Sequence, residues 1–227
     1  MRFHKNLTEM IESEITKLKT LQAFPETGII LKIYRETGKQ GEGYSVTKEV
    51  EELQLDIYGI LADRHRRPHR PRTGREKTLY PKGTSLKENR NWFAVSPLDI
   101  ERCTQQMNLK ITPEMLGANF LIGAEDGRPY LLSQLPRGTY MLIAHPESID
   151  PPKPPLATLV VHAQQSPCVV TGGAISAIYN QDLTAKFIEE TKPNRGIAGN
   201  IEYPVHEPAT IRPGHKVFFK FPIGIED

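Results

Sequence analysis

The chain is poor in cysteine. Its 227 residues contain only two, Cys103 and Cys168, and neither lies in a C-x-x-C pair or a disulfide framework. This excludes a disulfide-stapled secreted module and favours a reducing compartment. It also leaves too few thiolates for an iron–sulfur cluster of the chain's own. Long apolar runs are missing too, since nothing approaches the ~18 residues that a membrane span needs. The N-terminal stretch has no apolar targeting core and contains Glu9, Glu12 and Glu14, against secretory and mitochondrial leaders alike. The expected location is cytoplasmic, with no membrane contact. A phosphate-binding G-x-x-x-x-G-K-[ST] and a G-x-S-x-G nucleophile turn are both absent.

The content of 38% hydrophobic and 25% charged residues is that of a globular protein, and the length suffices for one substantial core. Nineteen prolines and seventeen glycines predict short elements joined by turns. Leu7, Met10, Ile11, Ile15, Leu18 and Leu21 recur at helical spacing behind an Asn6/Glu9 cap, so residues 1–22 read as an N-terminal helix and 23–227 as the domain proper. Strands are expected at 29–34, 53–59, 120–122, 130–132, 139–143, 158–162 and 216–221, with a loop at Gly38–Gly43. Ser96, Pro97 and Asp99 mark a helix start, Thr112 and Pro113 a second, stopped by Gly117. Ile175, Ile178, Tyr179, Leu183 and Phe187 form the stripe of one amphipathic helix after Gly172 and Gly173. Pro151, Pro152, Pro154 and Pro155 make an extended connection. Strands without regular strand–helix alternation give a mainly β (α+β) class, a barrel decorated with peripheral helices.

Charge is unevenly spread. Residues 64–77 hold six arginines and one lysine against Glu76, a local +6, so the remaining chain carries −4 of the net +2. Pro68, Pro71, Gly74 and Pro81 keep this segment from being a regular helix or a central strand, and it reads as a loop. Its guanidiniums could converge on a phosphate or simply be solvated. Aromatic residues between Arg64 and Lys77 are lacking, which argues against nucleic acid as a partner. His65 and His69 are four apart, but the prolines deny them a common helix face, so no zinc site is expected.

Cys103 falls on the apolar stripe of its helix with Ile100 and Met107 and reads as core. Cys168 follows Pro167, at the end of a strand and before a helix, a placement that exposes a thiol. Cations such as Arg195 and nearby N–H groups would favour its thiolate, which is nucleophile and metal ligand. A small buried core residue is the alternative reading.

Taken in order, Gly59-Ile-Leu-Ala-Asp63-Arg64-His65, Thr84-Ser85-Leu86, Leu116-Gly117-Ala118-Asn119-Phe120, Ser166-Pro167-Cys168, Arg195-Gly196-Ile197-Ala198-Gly199 and Ile211-Arg212-Pro213-Gly214 resemble the MOSC domains, named for the C-terminal domain of molybdenum cofactor sulfurases. The resemblance implies a MOSC-like β-barrel and the molybdenum cofactor (molybdopterin), with Cys168 as catalytic residue and molybdenum ligand, or as a persulfide carrier. It implies that Arg64, Ser85, Asn119, Ser166 and Arg195 help to hold the pterin and its phosphate. Active relatives reduce N-hydroxylated compounds, which implies a small-molecule substrate and an electron-donor protein, or a sulfur donor for a carrier. Ala62, Ala118, Gln165 and His215 depart from the family pattern, and lost polar groups there imply weaker cofactor retention or a degenerate binding module.

Overall fold

The computed structural model describes residues 24–36, 46–63, 65–192 and 195–222, Arg75 without its side chain. The helix expected over 1–22, the loop at Gly38–Gly43 and Arg64 lie outside them. The described chain opens with β1 (Thr27–Glu36), β2 (Thr47–Val50), β3 (Leu53–Asp56) and β4 (Gly59–Ile60). A ribbon of β5 (His69–Pro71) and β6 (Ser85–Lys87) precedes β7 (Trp92–Val95). Two helices, α1 (Pro97–Met107) and α2 (Pro113–Leu116), lead to β8 (Phe120–Ala124), β9 (Tyr140–Ala144) and β10 (Ala157–Gln164). After α3 (Val169–Tyr179) and α4 (Thr184–Glu190), the chain ends in β11 (Ile197–Tyr203), β12 (Ala209–Ile211) and β13 (Lys216–Lys220).

β1, β13, β9, β10, β11, β7 and β8 pair in cyclic order and close a seven-stranded barrel, with β2 added on β1. The closing ladder sets Thr27 against Phe218 and Ile29 against Lys216. Closure removes the open edges that a flat sheet of this length would leave. Among the described strands only β7 and β8 run parallel, Ala94 opposite Phe120. Parallel neighbours cannot be joined by a tight turn, and α1 and α2 form their crossover. β12, β3 and β4 form a separate small sheet.

Alternation on β7 separates two cores. Trp92 and Ala94 join Ile30, Phe120, Leu159 and Val217 inside the barrel. Phe93 and Val95 point the other way, into a layer with Cys103, Met107, Ile175 and Phe187 under the helices. All four residues of β7 are therefore buried, and the polar half of the period-2 signal is lost. This is why no strand is legible at 92–95; β2, β11 and β12 were likewise not expected.

Three expectations are corrected. The strand at 53–59 is a hairpin, because Asp56 Oδ1 accepts the Tyr58 amide at 2.9 Å and turns the chain before Gly59, whose φ is +129°. Residues 130–132 are not a strand: Ser96 Oγ donates to the Tyr130 carbonyl at 2.8 Å and accepts the Leu132 amide at 3.3 Å, so the α1 cap stands where a ladder partner would. The amphipathic helix is two helices, ended and restarted around left-handed Asn180, with Gly172 and Gly173 inside the first. Gly172 lets the pair meet, since a Cβ there would sit 3.0 Å from Thr184 Cα. The basic segment is a loop that also carries the short edge strand β5.

The tightest approach in the barrel is at Gly199, where a Cβ would overlap the Val160 carbonyl oxygen and crowd Trp92. Gly199→Ala is expected to cost about 3 kcal/mol or more. An unchanged urea midpoint would mean that β10 and β11 have room to separate.

Candidate functional site

Cys168 is the N-cap of α3, in extended conformation (φ −142°, ψ 159°). Its sulfur lies beside the unpaired N–H groups of a first helical turn, where negative charge is favoured. Thr171, three residues on, brings its hydroxyl to 3.4 Å from Sγ. Arg195, just before β11, is only 2% exposed. Its guanidinium donates to the Ser166 carbonyl at 2.6 Å, the Leu116 carbonyl at 3.0 Å and Thr171 Oγ1 at 2.5 Å, and reaches Cys168 Sγ at 3.9 Å. The rings of Phe93 and Phe187 flank it at 5.4 and 5.6 Å.

These neighbours set the protonation of the thiol. Burial pushes the Cys168 pKa up, but the Arg195 charge and the Thr171 hydrogen bonds outweigh it and hold the thiol below its ordinary value. Burial pushes the Arg195 pKa down, with the Cys168 sulfur acting in the opposite sense. Cys103 shows the contrast: fully buried in the helix layer, its thiol is pushed up to about 12 by desolvation and Asp99. Cys103 is thus a core residue as expected, while Cys168 is only partly buried.

Asn119 accepts the Phe93 amide at 3.0 Å and donates to the Tyr34 carbonyl and Asp63 Oδ2 at 3.3 and 3.1 Å. It also lines the cleft described below. Asp63 in turn accepts the His65 amide and ring at 2.9 and 3.1 Å. Desolvation raises the Asp63 pKa, yet the His65 and Asn119 bonds leave it lowered overall. Glu36, Asp63 and His65 could together hold a metal ion; His69 is exposed on β5. Ser85 sits on exposed β6 opposite Pro71 and does not line the cleft, while Ser166 enters the site through its carbonyl.

A cleft of about 760 Å³ joins Cys168, Thr171 and Arg195 to Arg67, Arg70 and Arg90. That volume lies in the range of cofactor and small-molecule sites, about 300–1,000 Å³. Glu76 and Glu88 also line it, bound to Arg70 at 2.7 Å and to Arg67 at 3.0 Å. His162 faces the cleft as well; burial and the charges of Arg137, Arg90, Arg70 and Lys87 lower its pKa. Two polar atoms of the lining, Arg195 Nε and Gln165 Oε1, are buried without a protein partner. Thr171 and His162 were missed from sequence. The cap spacing Cys168-x-x-Thr171 could have indicated the first; nothing local marks the second.

No family model matches the sequence, and no curated protein matches it either. Among solved structures the chain is similar to the YuaD protein from Bacillus subtilis, at 24% identity with a TM-score of 0.69, over 85% of this chain and 95% of that one. It is also similar to YiiM from Geobacillus stearothermophilus, at 10% identity with a TM-score of 0.52, over 87% of this chain and 78% of that one. At these identities the likeness is one of fold.

Two outcomes are expected at the site. Cys168 should be alkylated by iodoacetamide at a lower pH than an ordinary thiol, pKa about 8.5, while Cys103 stays unlabelled. Thr171→Ala should move that profile to higher pH, and a profile indifferent to Thr171 would remove it from the thiol's environment. Ala62 stands at φ +62° in the turn leading to Asp63, a conformation that costs a residue with a Cβ about 1–2 kcal/mol. Ala62→Gly should therefore raise the urea midpoint, by about 0.5–1 kcal/mol once glycine's entropy is counted.

Proposed function

We propose that this chain is a MOSC-type, molybdenum-cofactor-binding domain whose cleft reduces N-hydroxylated small molecules, with Cys168 as the metal ligand. The observation that carries the reading is the Cys168 thiol, held toward its anionic form by Arg195 and Thr171 within an arginine-lined cleft. Soft thiolates suit a transition-metal centre. The fit extends further: Arg195 Nε and Gln165 Oε1 are buried without protein partners, and Arg67, Arg70 and Arg90 supply cations for an anionic group. The likeness in fold to YuaD and YiiM supports the reading at the level of architecture.

Cys168 would hold the metal, and Arg195, Gln165 and the lining arginines would hold the organic part of the cofactor. Bound there, the cofactor supplies a two-electron redox centre able to take oxygen from an N–OH group. The balance of the reaction is an N–O bond broken, two electrons and two protons consumed, and an amine and water released. The chain's own part is to favour the deprotonated sulfur: Arg195, fixed by two backbone carbonyls, cannot swing away from it. Phe93 and Phe187 exclude water from the guanidinium, which strengthens its field at Sγ.

The same accessible thiolate also suits a carrier of cofactor or of persulfide sulfur, without turnover of its own. Metal analysis after production in a cofactor-making host tests the ligand assignment. Wild type is expected to carry molybdenum and Cys168→Ser at least about tenfold less, since even outer partners of a metal cost that much. Equal molybdenum in both would refute it. Turnover of an N-hydroxy substrate with reduced methyl viologen separates enzyme from carrier: loaded but inactive protein would leave the carrier.

A further inference from the structure

The proposed reaction consumes two electrons in each turnover, and the chain's second cysteine, Cys103, is buried in the helix layer and offers no accessible thiol to supply them. Electrons must come from outside, and the charge distribution bears on where. Residues 65–90 hold nine arginines and lysines against two glutamates, a net +7, so the rest of the chain carries −5. Both glutamates are neutralised within the segment, Glu76 by Arg70 at 2.7 Å and Glu88 by Arg67 at 3.0 Å. Arg66 is paired with Asp56, whereas Lys77, Lys82 and Lys87 are exposed.

The segment has two parts. Arg67, Arg70 and Arg90 line the cleft that also contains Cys168. Beyond them the ribbon projects a turn, residues 77–83, in which every residue is exposed. Lys77, Lys82 and, on β6, Lys87 have no acidic partner among the described residues. Between the first two stand Leu79, 73% exposed, and Tyr80, 42% exposed. Large apolar side chains on a turn flanked by unpaired lysines are poorly explained by stability: they add nothing to either core, and the like charges repel. They suit a protein interface, in which aromatic and aliphatic anchors sit within a charged rim that steers an oppositely charged partner.

We infer that the basic ribbon of residues 65–90, with Leu79 and Tyr80 at its tip, is the docking surface for a small acidic electron-transfer protein that reduces the cleft. The inference rests on the proposed reductase reading for the partner's role, but the docking itself can be measured without turnover. Nucleic acid, the other polyanion that such charge would attract, lacks the row of stacking aromatics used to read single strands.

Reduced flavodoxin, an acidic one-electron carrier, serves as the probe. Titrated against the wild-type protein at low ionic strength, it should bind with an affinity that falls steeply as salt rises. Lys77→Glu with Lys82→Glu should weaken binding about tenfold or more. Leu79→Ser should weaken it without changing the salt dependence. All three positions are exposed and outside the cleft lining, so thermal melts and turnover with reduced methyl viologen should match wild type. No binding of flavodoxin by wild type, equal binding by the charge-reversed protein, or displacement of flavodoxin by equimolar single-stranded RNA would each overturn the inference. Binding as expected in a protein that fails to turn over with methyl viologen would sink the reductase reading while leaving the docking surface standing.

Discussion

A guanidinium has five N–H donors and cannot give up its proton inside a protein, so burying one forces the surrounding backbone to supply acceptors. Arg195 does this at the junction on which the site depends. It takes the Leu116 carbonyl from the end of α2, the Ser166 carbonyl from the segment after β10, and the Thr171 hydroxyl from the first turn of α3. Three connections distant in sequence are thereby held around one cation, and the Cys168 sulfur lies among them. The charge that organises the loops is also the charge that lowers the pKa of the thiol. Removing it would leave buried carbonyls unpaired and the sulfur in a neutral setting, so structure and reactivity cannot be separated at this residue.

The barrel makes that junction possible. β7 and β8 run side by side and parallel, so their connection must cross back over the barrel as α1 and α2, with α3 and α4 completing the second apolar layer. Phe93 belongs to this layer and also flanks Arg195. Asn119, at the start of β8, ties β1, β7 and Asp63 together through its side chain. The family resemblance implies a cofactor contact for that residue, which lines the cleft while its amide braces the frame.

Much of this was legible. The helix caps at Ser96 and Thr112 follow from local chemistry, and both form as their residues predict. β1 is legible as a β-branched run and β13 as the strand that follows the Pro213-Gly214 turn. The misses share a cause, which is that tertiary partners replaced the local signal. β7 is buried on both faces and shows no alternation, Tyr130–Leu132 bonds to a helix cap and not to a strand, and the helix broken at Asn180 keeps an apolar stripe across the break. The departure at Ala62 was visible as a substitution, but only the backbone reveals that it lies in the left-handed region.

The sequence alone determined the mainly β class, the place of Cys103 in the core, and the concentration of positive charge in one proline-broken segment. Each follows from composition or from neighbours within a few residues. Tertiary structure decided which distant groups meet: that Arg195 reaches Cys168 across 27 residues, that the basic segment shares a cleft with that thiol, and that Ser85 stays outside it. Such meetings depend on how a seven-stranded barrel closes, and strand order is set by long-range pairing energies that no local pattern carries.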